Sequence, residues 1–404
     1  MKAIWVTLFL AALGLAPPAF AAGADDCIEC HAKTTEKTAS GKSAKVDPEE
    51  FGGSVHAKGK RKCLACHEEV ENPDKAPHGK VKPVDCASCH DKEAAEYATT
   101  IHGKAKAGGK TASATCVDCH GAHDIRKTDD PKSKVHKVNM DVTCGVCHGN
   151  EAMIKKEKMP GGNVAKLYHD SIHGESVHGK DKSKAPTCTD CHGAHDMRPK
   201  SDPESNVHKT KVVETCGTCH SKERKVFLTS KHGKLKAQNV NAAPGCTDCH
   251  GAHGVKKHDL PGWQVDVVKE CGDCHLDYIK TFRDTYHGKV TDLGYTRVAT
   301  CASCHGAHQI LPKDDPESKV SDRNRLATCQ SCHPKANANF VKFEPHANKS
   351  SLESGPALYY TTKFMQFLLA GVFSFFGLHT VLWLYRSIKV VSARRAARKT
   401  GEKS

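Results

Sequence analysis

Twenty-two cysteines and eleven histidines of this chain fall into one five-residue pattern, C-x-x-C-H. In chain order the copies are Cys27, Cys30 and His31; Cys63, Cys66 and His67; Cys86, Cys89 and His90; Cys116, Cys119 and His120; Cys144, Cys147 and His148; Cys188, Cys191 and His192; Cys216, Cys219 and His220; Cys246, Cys249 and His250; Cys271, Cys274 and His275; Cys301, Cys304 and His305; and Cys329, Cys332 and His333. No cysteine lies outside them. Two thiols three positions apart can each add to one vinyl group of a haem, and the histidine that follows then lies beneath the iron as an axial ligand. The rival chemistries are half of a zinc site, a redox-active cysteine pair or a disulfide array. None of these needs a histidine directly after every second cysteine, and histidine is only 28 of 404 residues.

The histidines left over recur at fixed places. Four motifs extend to C-x-x-C-H-G-A-H, at 116–123, 188–195, 246–253 and 301–308, and end in His123, His195, His253 and His308. His102, His232 and His287 each stand 14 residues before the first cysteine of such a motif, and His173 stands 15 before; glycine follows all four. Eight histidines at matching offsets in four repeats read as second axial ligands. His56, His78 and His346 are available for the other three irons, which matches eleven to eleven. His178, in a second His-Gly-Lys, competes with His173 for the same iron. His136 and His208 recur as Val-His-Lys, but Ser321 takes that place in the last repeat, so they read as surface or propionate partners. Met140 is the best candidate for a methionine ligand. Imidazole on both sides lowers the potential of an iron relative to methionine ligation. It also leaves no open position for a substrate.

The elements that must position these groups are short. Each C-x-x-C-H-G-A-H motif is followed by a plain C-x-x-C-H, so residues 101–350 read as four two-haem modules. Repeats of this kind stack on their neighbours. Residues 22–100 read as an irregular three-haem segment. Apolar residues are 38% and aromatics 6% of the chain, too few for ordinary cores at this length. Haem supplies large apolar plates instead. The expected fold is mainly short helices and loops wrapped around eleven haems, with low regular structure, an elongated haem array and one C-terminal transmembrane helix. The net charge of +14 is offset by about 22 haem propionates, which argues against nucleic-acid binding.

Residues 1–21 read as a signal peptide: Lys2, an apolar run, a Pro17-Pro18 break and an Ala19-Phe20-Ala21 cleavage site. After a linker at 351–362, residues 363–386 read as a transmembrane helix with no charge from Phe364 to Tyr385. Residues 387–404 form a basic tail. The positive-inside rule puts that tail in the cytoplasm and the haem region in the periplasm. His379 lies inside the span and is a candidate ligand for a shared b-type haem, a quinone contact or a hydrogen bond to a neighbouring helix.

The eleven motifs, the C-x-x-C-H-G-A-H doublets and the His-Gly-Lys histidines resemble the paired C-x-x-C-H family of multihaem c-type cytochromes. The anchor segment Gly377-Leu378-His379-Thr380 with Leu382-Trp383-Leu384 resembles that of multihaem subunits encoded with a membrane cytochrome b in metal- and sulfate-reducing bacteria. The resemblance implies an inner-membrane-anchored electron-transfer protein. It would carry electrons from the quinol pool, a membrane cytochrome b or a quinone-reactive subunit to soluble periplasmic cytochromes in anaerobic respiration. The alternatives are a multihaem reductase of a nitrogen or sulfur oxyanion and an extracellular electron conduit. No acid–base pair, nucleophile motif or phosphate loop stands out.

Overall fold

The computed structural model describes residues 24–37, 43–59, 63–70, 81–179, 184–353 and 355–401. The expected signal segment 1–21 and His78 lie outside them. Among the described residues the structure is helical and loop-rich, with no strand beyond one isolated bridge between Lys37 and Ser43. Apart from the last helix, none is longer than the 14 residues of Pro261–Cys274. The chain divides into two compact units. One holds the described residues up to Arg224 with Pro244–Lys257, and the other holds Lys225–Ala243 with His258 onward.

The four C-x-x-C-H-G-A-H motifs each fold into a single helical turn, Cys116–His120, Cys188–His192, Cys246–His250 and Cys301–His305. Positions i, i+3 and i+4 share one helix face, so both thiols and the imidazole point the same way. Such short helices need caps. The residue before the second cysteine supplies one: the backbone N–H groups of Thr115, Thr187 and Gly245 donate to Asp118, Asp190 and Asp248, and that of Thr300 donates to Ser303. The glycine after the histidine ends each turn at a φ of 88, 80, 72 or 84°, a conformation that glycine adopts without a Cβ penalty.

A second recurrent element explains the His-Gly pairs. His102, His173, His232 and His287 occupy the second position of short helices capped by Thr100, Ser171, Ser230 and Thr285. Each cap oxygen accepts from the N–H of the glycine after the histidine, Gly103, Gly174, Gly233 or Gly288. A Cβ on these glycines would run into the carbonyl oxygens of Tyr97, Tyr168, Phe227 and Phe282. Ser54 caps a fifth copy that holds His56, with Ala57 in the glycine's place. Gly233→Ala is therefore expected to displace the His232 helix and cost about 1–3 kcal/mol. Thermal unfolding of the haem-loaded protein checks the cost, and electron paramagnetic resonance reports whether one iron loses a ligand.

These helices are pinned from a distance. Val55, Ile101, Ile172 and Lys231 donate backbone N–H bonds to the carbonyls of Ile125, Met197, Val255 and Ile310. Each acceptor lies two residues beyond the last histidine of a C-x-x-C-H-G-A-H motif, in the repeat that follows. Few apolar side chains are buried among the described residues. The aliphatics Val177, Val213 and Val268 and the aromatic Phe282 are among them.

The last helix, Pro356–Thr400, has 45 residues and is the one helix among those described that is long and apolar enough to cross a membrane. Its apolar side chains are exposed on all sides, Phe367 and Phe373 at 76% and 72%. Lys363 stands over the Tyr359 ring at 5.5 Å and Lys389 over the Tyr385 ring at 4.9 Å. At 1.5 Å per residue the two tyrosines are about 39 Å apart along the axis. That is close to the thickness of a bilayer with its headgroups. His379 is exposed on this helix.

Candidate haem-binding sites

The histidines come together in facing pairs. In the first unit the ring centroids of His56 and His90 are 6.3 Å apart, those of His67 and His123 6.2 Å, and those of His102 and His148 6.2 Å. His120 and His195 stand at 5.9 Å, His173 and His220 at 6.2 Å, and His192 and His253 at 6.0 Å. In the second unit His232 faces His275 at 6.1 Å, His287 faces His333 at 6.1 Å, and His305 faces His346 at 6.2 Å. Every pair joins one C-x-x-C-H histidine to one of the histidines read as second axial ligands.

These separations allow a direct test of fit. Two metal–nitrogen bonds of about 2.0 Å, each continued about 1.1 Å to a ring centre, place the centroids about 6.2 Å apart. All nine pairs match that value, so the residues fit an iron held between two imidazoles. Burial holds the imidazoles of His102, His148, His173, His192, His253 and His305 below the ordinary histidine range. They are neutral at pH 7 and keep a lone pair to offer. Nδ1 of His67 is buried and has no hydrogen-bond partner among the described residues.

The pairing follows a rule. Within the four modules the plain C-x-x-C-H histidine faces the histidine of its own module's His-Gly helix, as His148 faces His102, whereas His67, ahead of them, faces His123. Two C-x-x-C-H-G-A-H histidines face the terminal histidine of the next such motif, His120 facing His195 and His192 facing His253, whereas His305 faces His346. The backbone bonds to Met197 and Val255 follow the same direction. Of the remaining candidates, His31 Nδ1 lies 3.1 Å from the Ala44 carbonyl. His250 belongs to the first unit and His308 to the second. His173 faces His220, and its rival His178 turns instead to Asp141, 2.9 Å away. His136 accepts the Val138 N–H, His208 bonds to Thr210, and Met140 is packed in the core.

The thiols are neighbours in chain order. First-position thiols are in hydrogen-bonding contact between Cys27 and Cys63, Cys86 and Cys116, Cys144 and Cys188, Cys216 and Cys246, and Cys271 and Cys301. Between these pairs, Cys119 feels Cys144, Cys191 feels Cys219 and Cys304 feels Cys329. Burial, with those neighbouring thiols, pushes the Cys119 thiol up to about 11. The closest contacts are out of phase with the sequence repeat: they join the plain motif of one module to the extended motif of the next. Free thiols this crowded could form disulfides. Thioether bonds to a cofactor remove that option.

Sequence reasoning by offset did not place His56 in register with the later modules. The pattern [S/T]-x-H-[G/A], with its cap, does so. It also singled out neither His169 nor Asp141, which lie beside His178.

No protein-family profile matches the chain. No solved structure matches it. Among curated proteins it is 25% identical over 351 residues to the multiheme cytochrome MtrA of Shewanella baltica, covering 80% of this chain and 97% of that one. It is 24% identical over 278 residues to the high-molecular-weight cytochrome c of Nitratidesulfovibrio vulgaris, covering 62% of this chain and 46% of that one. A stretch of 125 residues is 30% identical to the multiheme cytochrome MtrC of Shewanella baltica, covering 24% of this chain and 19% of that one. These relatives and the clustered cysteine pairs support one reading, a multihaem c-type cytochrome of the electron-transfer kind.

Proposed function

We propose that this cytochrome carries eleven covalent haems and works as a membrane-anchored conductor. It takes electrons from the quinol pool or a membrane cytochrome b and delivers them to periplasmic cytochromes. Bound haem supplies reversible one-electron exchange at iron. The chain's residues do the rest. The two thiols of each motif would fasten a haem, and the adjacent and facing imidazoles would hold its iron. The observation that carries the reading is the set of nine imidazole pairs at 5.9–6.3 Å. A pair of this kind leaves no open coordination position, which favours conduction over reduction of an oxyanion.

Thiol contacts between successive motifs support a path that follows chain order within each unit. The last helix supports the anchor. A helix apolar on all sides is stable in lipid or against partner helices, and its two Lys-Tyr pairs suit the two interfaces. Arg386, Lys389, Arg394, Arg395 and Arg398 follow the apolar stretch. They would hold that end in the cytoplasm and leave the haem region in the periplasm. His379 would then face a partner helix, where it could hold a shared b-type haem or touch a quinone.

Membranes containing the chain and its neighbours are expected to show c-haem reduction on addition of a menaquinol analogue. A chain ending at Gly355 is expected in the soluble fraction with unchanged haem content, reducible by dithionite but at least about 100-fold slower with quinol. The conductor reading fails if quinol reduces none of the dithionite-reducible haem in intact membranes.

A further inference from the structure

Asp141, His169 and His178 form a cluster that the imidazole pairs do not use. Asp141 lies on the helix Met140–His148, and His169 and His178 are the last residues of Val164–His169 and Ile172–His178. The Asp141 side chain is only 5% exposed, whereas His169 and His178 are 61% and 36% exposed. One carboxylate oxygen, Oδ1, takes the Val142 N–H at 2.9 Å. The other, Oδ2, faces both imidazoles, 2.9 Å from His178 Nε2 and 3.2 Å from His169 Nδ1. The two rings are 5.2 Å apart and tilted by 48°.

The chain's own repeats show how unusual this is. Counting back three residues from the first cysteine of the plain motifs gives Asp141, Val213, Val268 and Leu326. Val213 and Val268 are core residues, each 4% exposed. Asp141 thus buries a carboxylate where the other modules place an aliphatic side chain. The position four residues before the His-Gly histidine is His169 in one module and Ala98, Leu228 and Arg283 in the others. The position five residues after it is His178 in that module and Ala107, Ala237 and Asp292 elsewhere. The two histidines that meet the buried carboxylate are confined to the one module that packs against it. A buried charge is costly unless it is paired. Burial raises the Asp141 pKa, and hydrogen bonds from His178 and then His169 outweigh it, holding the carboxyl below its usual range.

We propose that Asp141, His169 and His178 bind one divalent transition-metal ion, separate from the haem irons. Two imidazoles and a carboxylate on one side of an ion, with the other positions open, suit Fe(II), Zn(II), Co(II) or Ni(II). The spacing fits. Ligand atoms bonded at about 2.1 Å stand about 3.0 Å apart at a right angle and about 3.4 Å apart in a tetrahedron. The two carboxylate–imidazole distances fall close to that range, and all three ligand atoms lie within 4.8 Å of one another. Each imidazole would turn its lone pair to the ion by exchanging tautomers. The exposed sides of His169 and His178 leave the remaining positions to water.

The test is equilibrium dialysis of the full-length, haem-loaded protein against Zn(II) after chelator treatment. Zinc is counted by mass spectrometry and haem by the pyridine haemochrome spectrum. Wild type is expected to hold one zinc per chain that His169→Ala and Asp141→Val hold about 100-fold more weakly, with haem content unchanged. Asp141→Val restores the aliphatic residue of the other modules. His169 is exposed enough that its replacement leaves the fold intact, so it decides the matter if the valine variant folds poorly. Absence of the zinc from wild type, or equal retention by wild type and His169→Ala, overturns the site. So does a new high-spin haem in His178→Ala, which would make His178 an axial ligand instead.

Discussion

Produced in cells that cannot attach haem, the chain is expected to lack its fold apart from the last helix. Far-UV circular dichroism should fall well below that of the loaded protein, and no cooperative thermal transition should appear. A small apolar core is the reason. Among the described residues the buried apolar side chains are few, Val177, Val213, Val268 and Phe282 among them. The buried polar side chains Ser54, Thr100, Ser171 and Ser230 are helix caps. Caps fix local geometry but drive no collapse. The short helices, many of five to nine residues, are below the length at which a helix is stable alone. What remains to bury apolar surface is the porphyrin between the imidazoles. A haem-free chain that unfolds cooperatively would show that the polypeptide closes its own core, and the cofactor-centred account would fail.

The covalent chemistry was legible because it is local. Thioether formation fixes three positions within five residues, and nothing else asks for that spacing eleven times. The His-Gly histidines stood out by their offsets, and the structure adds why glycine follows: Tyr97, Tyr168, Phe227 and Phe282 present carbonyls where a Cβ would sit. The apolar helix was legible from composition. It runs past the apolar stretch at both ends, from Pro356 to Thr400, because the flanks contain no glycine or proline between them. Partnership was not legible. His120 meets a histidine 75 positions away in the next module, and no local signal marks that choice. The Asp141 cluster was hidden for the same reason: its carboxylate and its two imidazoles come from different modules.

That long-range partnership yields the second large effect. His195 follows Cys188, Cys191 and His192 directly in sequence, yet its ring faces His120, at 5.9 Å and 27° from parallel. Replacing His195 with Ala is expected to open one iron, the one tethered at Cys116 and Cys119, and to give one high-spin ferric signal. His195→Met is expected to keep that iron six-coordinate and raise its potential by on the order of 0.1 V. Pairs of substitutions identify which iron responds, because changes on one iron do not add and changes on separate irons do. His195→Ala combined with His120→Met should alter one haem in total. His195→Ala combined with His192→Met should alter two, since the His192 ring faces His253. If His195 served the haem of its own motif, the counts would be reversed: two in the first variant and one in the second. The predicted order means that the extended motif at Cys116–His120 is completed only when the following module has folded against it. Loss of one C-x-x-C-H-G-A-H histidine should therefore loosen the junction between two modules as well as one iron. Proteolysis of the His195→Ala protein under native conditions should then cut first between His148 and Tyr168, the stretch that joins those modules.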